Sequence, residues 1–248
     1  MNRCLIVENE SKVDVTRSLS DRDAFRLWLR QLLGADRWVE GVYPALAPGS
    51  KEEVALLLRE YPGPVMVVGS GSNFEPEFLP REGVLVLLTA RLGNVIEISS
   101  SDQTLTVSAG CLVTEVNQEL SGQKFVVPAL SRFSSGTIGG RLASVSSRPD
   151  DVRADGWVHS LLGVEVVLPN GQLSRFGSKC IKDVAGLDLR HLFTGGRGAP
   201  GVIVEAIFRC FPCSLYQQLE SAPPPMVAEY VHELAKIFDP TGRMQPGR

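Results

Sequence analysis

The run Pro64-Val-Met-Val-Val68 passes straight into Gly69-Ser-Gly-Ser-Asn73, and this junction restricts the fold more than any other feature of the chain. An unbroken apolar run of this length reads as a strand buried on both faces, as in parallel sheets covered by other layers. Two glycines at its end let the backbone turn its N–H groups toward one point. The serine and asparagine side chains add donors, and the result is a concave seat suited to a diphosphate. The three-glycine dinucleotide fingerprint fails, because its third glycine would fall at Phe74 and Glu75-Pro76 with Pro80 prevent the helix that must follow. A phosphate loop ending in Gly-Lys-Ser/Thr is absent as well. Alone, the junction reads equally well as a plain glycine turn.

The flanking pattern alternates helices with strands. Leu5 to Val7 reads as a short strand and Arg22 to Leu33 as a helix, with Ser20 as its cap and Asp23 in the first turn, where a carboxylate favours the dipole. Ser50 and Glu53 stand in capping-box spacing and open a helix over Lys51 to Glu60. Val84 to Leu88 and Asn94 to Ile98 read as strands, Thr104 to Ala109 alternates with period two, and Leu112 to Leu120 is a short helix. Val164 to Leu168 turns through Pro169-Asn-Gly171 into Gln172 to Phe176, a hairpin whose glycine supplies the positive φ of the turn. Gly201 to Phe208 is the last strand. The pattern predicts a domain over 1–212, with lobes of about 1–124 and 125–212, followed by a linker and helix over 213–248. In that tail Val227, Tyr230, Val231, Leu234 and Phe238 form one stripe of a helix from Met226 to Phe238.

Composition excludes several classes. With 25 Lys plus Arg against 28 Asp plus Glu and no basic run, nothing tracks a nucleic-acid backbone. No apolar stretch approaches the ~20 residues needed to cross a bilayer, and the start turns acidic at Glu8 before a signal-peptide core forms. The expected address is the cytoplasm, with the periphery of the inner membrane open to the chain through a complex. The five cysteines are odd in number and scattered, which suits a reducing compartment. Cys210-Phe-Pro-Cys213 has no second pair or nearby histidines to complete a metal site, so it reads as one cysteine closing a strand and one in the next loop.

Two further loops join the first. Ser135-Gly-Thr-Ile-Gly-Gly140 precedes Arg141-Leu-Ala-Ser144, which can start a short helix whose unpaired N–H groups would add to an anion site. The third, Val184-Ala-Gly-Leu-Asp-Leu189, leads through Leu192-Phe193 to Gly195-Gly-Arg-Gly-Ala-Pro-Gly201 and Val202-Ile-Val-Glu-Ala206. This series resembles FAD-binding oxidoreductases of the vanillyl-alcohol oxidase and p-cresol methylhydroxylase (PCMH) type, the FAD-linked oxidases. Arg175 to Gly186 narrows the resemblance to the glycolate oxidase FAD-binding subunit and its relatives, and Phe238 to Arg248 is similar to that group's chain ending. The likeness covers about 41–212 and the last dozen residues.

The resemblance implies an α+β fold: a two-lobed PCMH-type domain with an extended, non-covalent FAD between its lobes and a short C-terminal helical tail. By motif position, Gly69, Ser70, Gly71, Ser72 and Asn73 would wrap the diphosphate. Gly136, Thr137, Ile138, Gly139, Gly140 and Ser144 would complete the phosphate and ribitol side, Pro128 would sit near the flavin, and Val202 and Ile203 would offer main-chain groups. His159, His191 and His232 fall outside the loops where the family's histidyl links occur and read as surface or boundary residues. The chain departs from the pattern at Ser70, Ser72, Leu187 and Ala199-Pro200. The family's substrate cap would lie between Phe211 and the final helix, where about fifteen residues cannot form a lobe.

The resemblance to the glycolate oxidase group implies an FAD-carrying subunit of a 2-hydroxy-acid oxidase or dehydrogenase complex, beside a larger flavoprotein subunit and an iron-sulfur subunit. No catalytic residue is named. The alternatives are a small flavin oxidoreductase acting alone and a scaffold that keeps the fold without the cofactor.

Overall fold

A computed structural model describes residues 27, 28, 31, 33–39, 45–61, 63–71, 84–93, 95–144, 160–180 and 189–216. The expected strand at Leu5 to Val7, the start of the first helix, the segment 181–188 and the C-terminal helix lie outside them. The chain divides into two compact units, Met1–Pro212 and Cys213–Arg248. In the second, only a helical turn over 213–216 is described.

The first unit holds β1 (Trp38–Val39), β2 (Ala45–Leu46), α1 (Lys51–Glu60), β3 (Val65–Val68), β4 (Leu85–Leu88), β5 (Ile96–Ser99) and β6 (Thr104–Ser108). These are followed by α2 (Val113–Gly122), β7 (Phe125–Val126), α3 (Pro128–Ser131) and α4 (Ile138–Ser144), then by β8 (Leu161–Val167), β9 (Leu173–Gly177), α5 (Arg190–Phe193), β10 (Val202–Arg209) and β11 (Phe211–Pro212). A four-stranded sheet runs β1-β2-β4-β3, with β4 parallel to both its neighbours, and a five-stranded antiparallel sheet runs β5-β6-β10-β8-β9. The short strands β7 and β11 pair separately.

Local chemistry sets several of these boundaries. Ser50 Oγ accepts the Glu53 N–H at 3.2 Å and caps α1. The Glu53 carboxylate does not return to Ser50 as in a full capping box. It accepts the Gly49 N–H at 2.8 Å and is clamped by the Arg37 guanidinium. The β8–β9 hairpin turns as expected, with Gly171 at φ +81° and its N–H donating to Leu168 O. A Cβ on Gly171 would meet Ala55 O at 2.6 Å, so the turn sits against α1.

Three sequence expectations change. The apolar run of β3 is not buried on both faces. Among the described residues it is an edge strand with β4 as its one sheet partner, all four of its residues are half-buried, and Val65 and Val67 rest on the core. The period-two pattern of β6 does not alternate in exposure, because Thr104, Thr106 and Ser108 are as buried as Leu105 and Val107. β6 is buried on both faces of the sheet. On the polar one, Lys179 beyond β9 reaches Glu97 of β5 at 3.4 Å. Finally, β5 and β6 read in sequence as part of the N-terminal lobe, yet they join the sheet of β8 to β10, with β10 at its centre.

Two hydrophobic clusters result. One packs α2 and α4 on the apolar face of the larger sheet, with Phe208, Leu105, Val164, Val116 and Leu142 all fully buried. The other joins the sheets: Leu46, Leu57, Leu85 and Leu87 pack with Val167, Val202 and Val204. Each such side chain contributes about 1.5–3 kcal/mol by leaving water.

Candidate cofactor site

β3 ends where it meets α4. A Cβ placed on Gly69 would overlap Thr137 Oγ1 and lie 3.4 Å from Gly140 Cα, so only glycine permits this approach. The buried Thr137 hydroxyl in turn accepts the Gly140 N–H at 3.2 Å. From the other side the loop 194–201 closes on the same place. Gly195 and Arg197 donate their N–H groups to Leu142 O and Ala143 O, satisfying the end of α4. A Cβ on Gly198, where φ is +81°, would meet Val67 Cβ at 3.0 Å.

Between these elements lies a crevice. Val67, Gly69 and Thr89 form one wall, Gly139, Gly140 and Ala143 of α4 the second, and Gly198, Gly201 and Ile203 the third. It encloses about 30 Å³ within roughly 330 Å³ of empty space that includes its open mouth. Among the described residues no charged side chain lines it, and Thr89 is the one polar side chain of the lining.

The sequence-expected residues fall into distinct places. Gly69, Gly139, Gly140 and Ile203 line the crevice, and Thr137 abuts Gly69. Ser70 and Gly71 are exposed at its rim, with Gly71 at φ +75° and nothing within 4 Å of a built Cβ. Gly136 (φ +88°) and Ile138 anchor the loop: Gly136 O accepts the Val113 N–H and Ile138 donates to Cys111 O. Val202 sits beside Ile203 in the core that joins the sheets. Pro128, the first residue of α3, and Ser144, whose hydroxyl donates to Arg141 O, are not part of the lining. Ser72 and Asn73 lie outside the described residues. Of the three histidines only His191 is described, half-buried on α5.

One physical expectation is corrected. The first amides of α4 are not left for an anion, because Ile138 donates to Cys111 O at 2.9 Å, Gly139 to Ala109 O at 2.8 Å and Gly140 to Thr137 Oγ1. The glycines of this loop serve close approach, since a Cβ on Gly139 would lie 2.8 Å from Ala109 Cβ. Sequence reasoning also missed five lining residues. Gly198 and Gly201 were visible as part of a glycine run, whereas Val67, Thr89 and Ala143 carry no local signal.

A family model described as an FAD binding domain matches residues 44–177, more than half of the chain. The chain belongs to this FAD-binding domain family. FAD is therefore its cofactor class, and the crevice has glycine on each wall, at Gly69, Gly139, Gly140, Gly198 and Gly201. The chain is 32% identical over 189 residues to glycolate oxidase subunit GlcD of Bacillus subtilis, covering 71% of this chain and 40% of that protein. It is 31% identical to a D-2-hydroxyglutarate dehydrogenase of Xanthomonas citri over 76% of this chain and 39% of the relative. For a D-lactate dehydrogenase of Archaeoglobus fulgidus the identity is 26%, over 77% and 43%. The chain thus spans about 40% of the length of these relatives. Two solved structures of alkyldihydroxyacetonephosphate synthase superpose with TM-scores of 0.54 and 0.55 at 23% and 24% identity, each over 34% of that chain, and share the fold. Among the described residues no helix is long and apolar enough to cross a membrane, and no His/Cys/Asp/Glu group could hold a metal ion.

Proposed function

We propose that this FAD-binding domain is the FAD-carrying part of a 2-hydroxy-acid oxidase or dehydrogenase, with the flavin bound non-covalently. The observation that carries the reading is the groove where the Gly69–Gly71 turn, α4 and the loop 194–201 meet with glycine on every wall. The relatives named for glycolate, D-lactate and D-2-hydroxyglutarate support the substrate class.

The chain's own residues do three things here. Gly69 to Asn73 seat the diphosphate, on the rim where Gly71 leaves open space. Thr137 and Gly139 fix the distance between the β3 turn and the larger sheet. Gly198, Gly201 and Ile203 form the apolar wall that keeps water from one side of the ligand. FAD, when bound, supplies the capacity to accept hydride from an alcohol carbon. In this proposal the substrate cap is lacking between Phe211 and the final helix, so a larger flavoprotein partner covers the flavin and an iron-sulfur partner takes the electrons. The domain division at 1–212 belongs to the same proposal.

The test is purification of the chain followed by titration of its apo form with FAD. A yellow protein with flavin absorbance that rebinds FAD supports the reading. Bleaching of the isolated chain by a 2-hydroxy acid would move it to a self-sufficient small oxidoreductase. A second reading has one observation in its favour: with the α4 amides engaged inside the protein, the chain can keep its fold as a scaffold without the cofactor. A colourless protein that takes up no FAD would establish that reading.

A further inference from the structure

A row of four side chains crosses the larger sheet beside the groove. Arg175 on β9 is the register partner of Glu165 on β8, Glu165 of Glu205 on β10, and Glu205 of Ser108 on β6. Two carboxylates directly opposed on neighbouring strands repel. Glu165 is only 8% exposed, so solvent does little to screen the pair. Two cations answer it from different elements. Lys51 Nζ, on the first residue of α1, donates to Glu165 Oε2 at 2.8 Å. A single guanidinium nitrogen of Arg175 lies 3.2 Å from Glu205 Oε1 and 3.6 Å from Glu165 Oε1.

The row stands at an irregularity. Pairing of β8 with β10 slips between Ile203 and Glu205, making Val204 the extra residue of a bulge. Val204 O accepts the Ala109 N–H at 2.9 Å, and Ala109 O accepts the Gly139 N–H at 2.8 Å. Ile203 on one side of the bulge and Gly139 at the end of this relay both line the groove. Like charges opposed beside the bulge work against its pairing, and a shift of the bulge would reach Ile203 directly and Gly139 through Ala109.

We propose that Lys51, Glu165, Arg175 and Glu205 form a positioning group for the cofactor groove, holding the Val204 bulge in the register that sets Ile203 directly and Gly139 through Ala109. None of the four lines the groove, so none is a catalytic residue. The inference rests on the FAD reading for one of its two readouts only.

The experiment compares Lys51→Met with the double variant Lys51→Met/Glu165→Gln in the full chain. Loss of the cation is expected to weaken FAD binding, read by quenching of flavin fluorescence on titration, by roughly tenfold. It is also expected to speed hydrogen exchange of the Ala109 amide by roughly tenfold. Removing the unmatched carboxylate in the double variant returns both quantities to within about threefold of the starting protein. A role confined to stability predicts a lower Tm for Lys51→Met with both readouts unmoved; that result, or a double variant no better than the single, overturns the proposal. If Lys51→Met alone does not fold, Glu205→Gln with and without Lys51→Met decides the matter. The two are expected to agree within about threefold, and a gap of roughly tenfold overturns the proposal. Should the unaltered chain take up no FAD, the cofactor reading fails by itself and the Ala109 exchange rates still decide this one.

Discussion

Gly69 and Thr137 meet backbone to hydroxyl, so closely that the smallest side chain at position 69 would overlap Thr137 Oγ1. Gly69 is not among the positive-φ glycines, so what it supplies is room. Gly71, two residues on, is the reverse case, with φ +75° and open space around a built Cβ. Gly69→Ala is expected to displace Thr137 and the start of α4, lowering stability by about 1–3 kcal/mol and costing FAD affinity. Gly71→Ala costs only backbone strain of about 1–2 kcal/mol and leaves the walls in place. Thermal unfolding and FAD titration of the two variants test the distinction. Unchanged FAD affinity in Gly69→Ala would remove the turn from the site.

A similar contrast applies to Gly139. An aspartate at position 139 would set both a side chain and a negative charge against the diphosphate, so flavin retention is expected to be lost in Gly139→Asp. In the structure a Cβ at 139 already lies 2.8 Å from Ala109 Cβ and 3.3 Å from Ala109 O, so bulk is sufficient. Gly139→Ala is therefore expected to lose flavin nearly as completely as Gly139→Asp, with a stability loss of about 1–3 kcal/mol. Flavin absorbance per protein after gel filtration is the measurement. Retention by the alanine variant with loss by the aspartate variant would restore the electrostatic account.

What sequence could and could not reveal follows from the range of its signals. The Ser50 cap of α1 and the Gly171 turn were legible because each involves residues within three or four positions of one another. The glycine loops were legible as glycine. Their partners were not: the contact of Gly198 with Val67 and of Gly69 with Thr137 depends on strands and helices brought together from distant positions. For the same reason the apolar run of β3 disclosed a strand but not its edge position. The placement of β6 beside β10 was equally hidden, since antiparallel register between separated strands leaves no local period. Thr89, whose hydroxyl donates to Val68 O at 3.3 Å beside the groove, looks in sequence like any threonine after a strand.

Glu53 ties stability to pH on the acid side. Its carboxylate accepts from Arg37 Nε at 2.8 Å and Nη2 at 2.9 Å and from the Gly49 N–H. The Arg37 hydrogen bond, chiefly, holds the carboxyl below its ordinary 4.5, with partial burial opposing. Because the folded value is depressed, this stabilisation is present above the unfolded value and disappears as pH falls through the folded one. Glu53→Gln should therefore lower Tm at neutral pH while flattening its dependence on pH below about 4.5. Ser50→Ala, which removes the α1 cap, should cost about 1 kcal/mol evenly across pH. Tm measured across the acid range separates the two, and an unaltered acid slope in Glu53→Gln would place the titration elsewhere.

Thiol reactivity reads out the end of β10 and the neighbourhood of the groove. Cys210, directly after β10, is fully buried, and burial pushes its thiol up to about 12. Cys111, whose carbonyl anchors Ile138, is also buried, and burial raises its thiol as well. Cys180 is exposed. Since the thiolate is the attacking species, iodoacetamide at mildly alkaline pH should label Cys180 in the native chain, and Cys111 and Cys210 only once denaturant is added. Peptide mapping by mass spectrometry gives the order. If native Cys111 reacts as fast as Cys180, the loop of Gly136 to Gly140 opens readily, and a groove whose wall depends on that loop could not hold a ligand in fixed geometry.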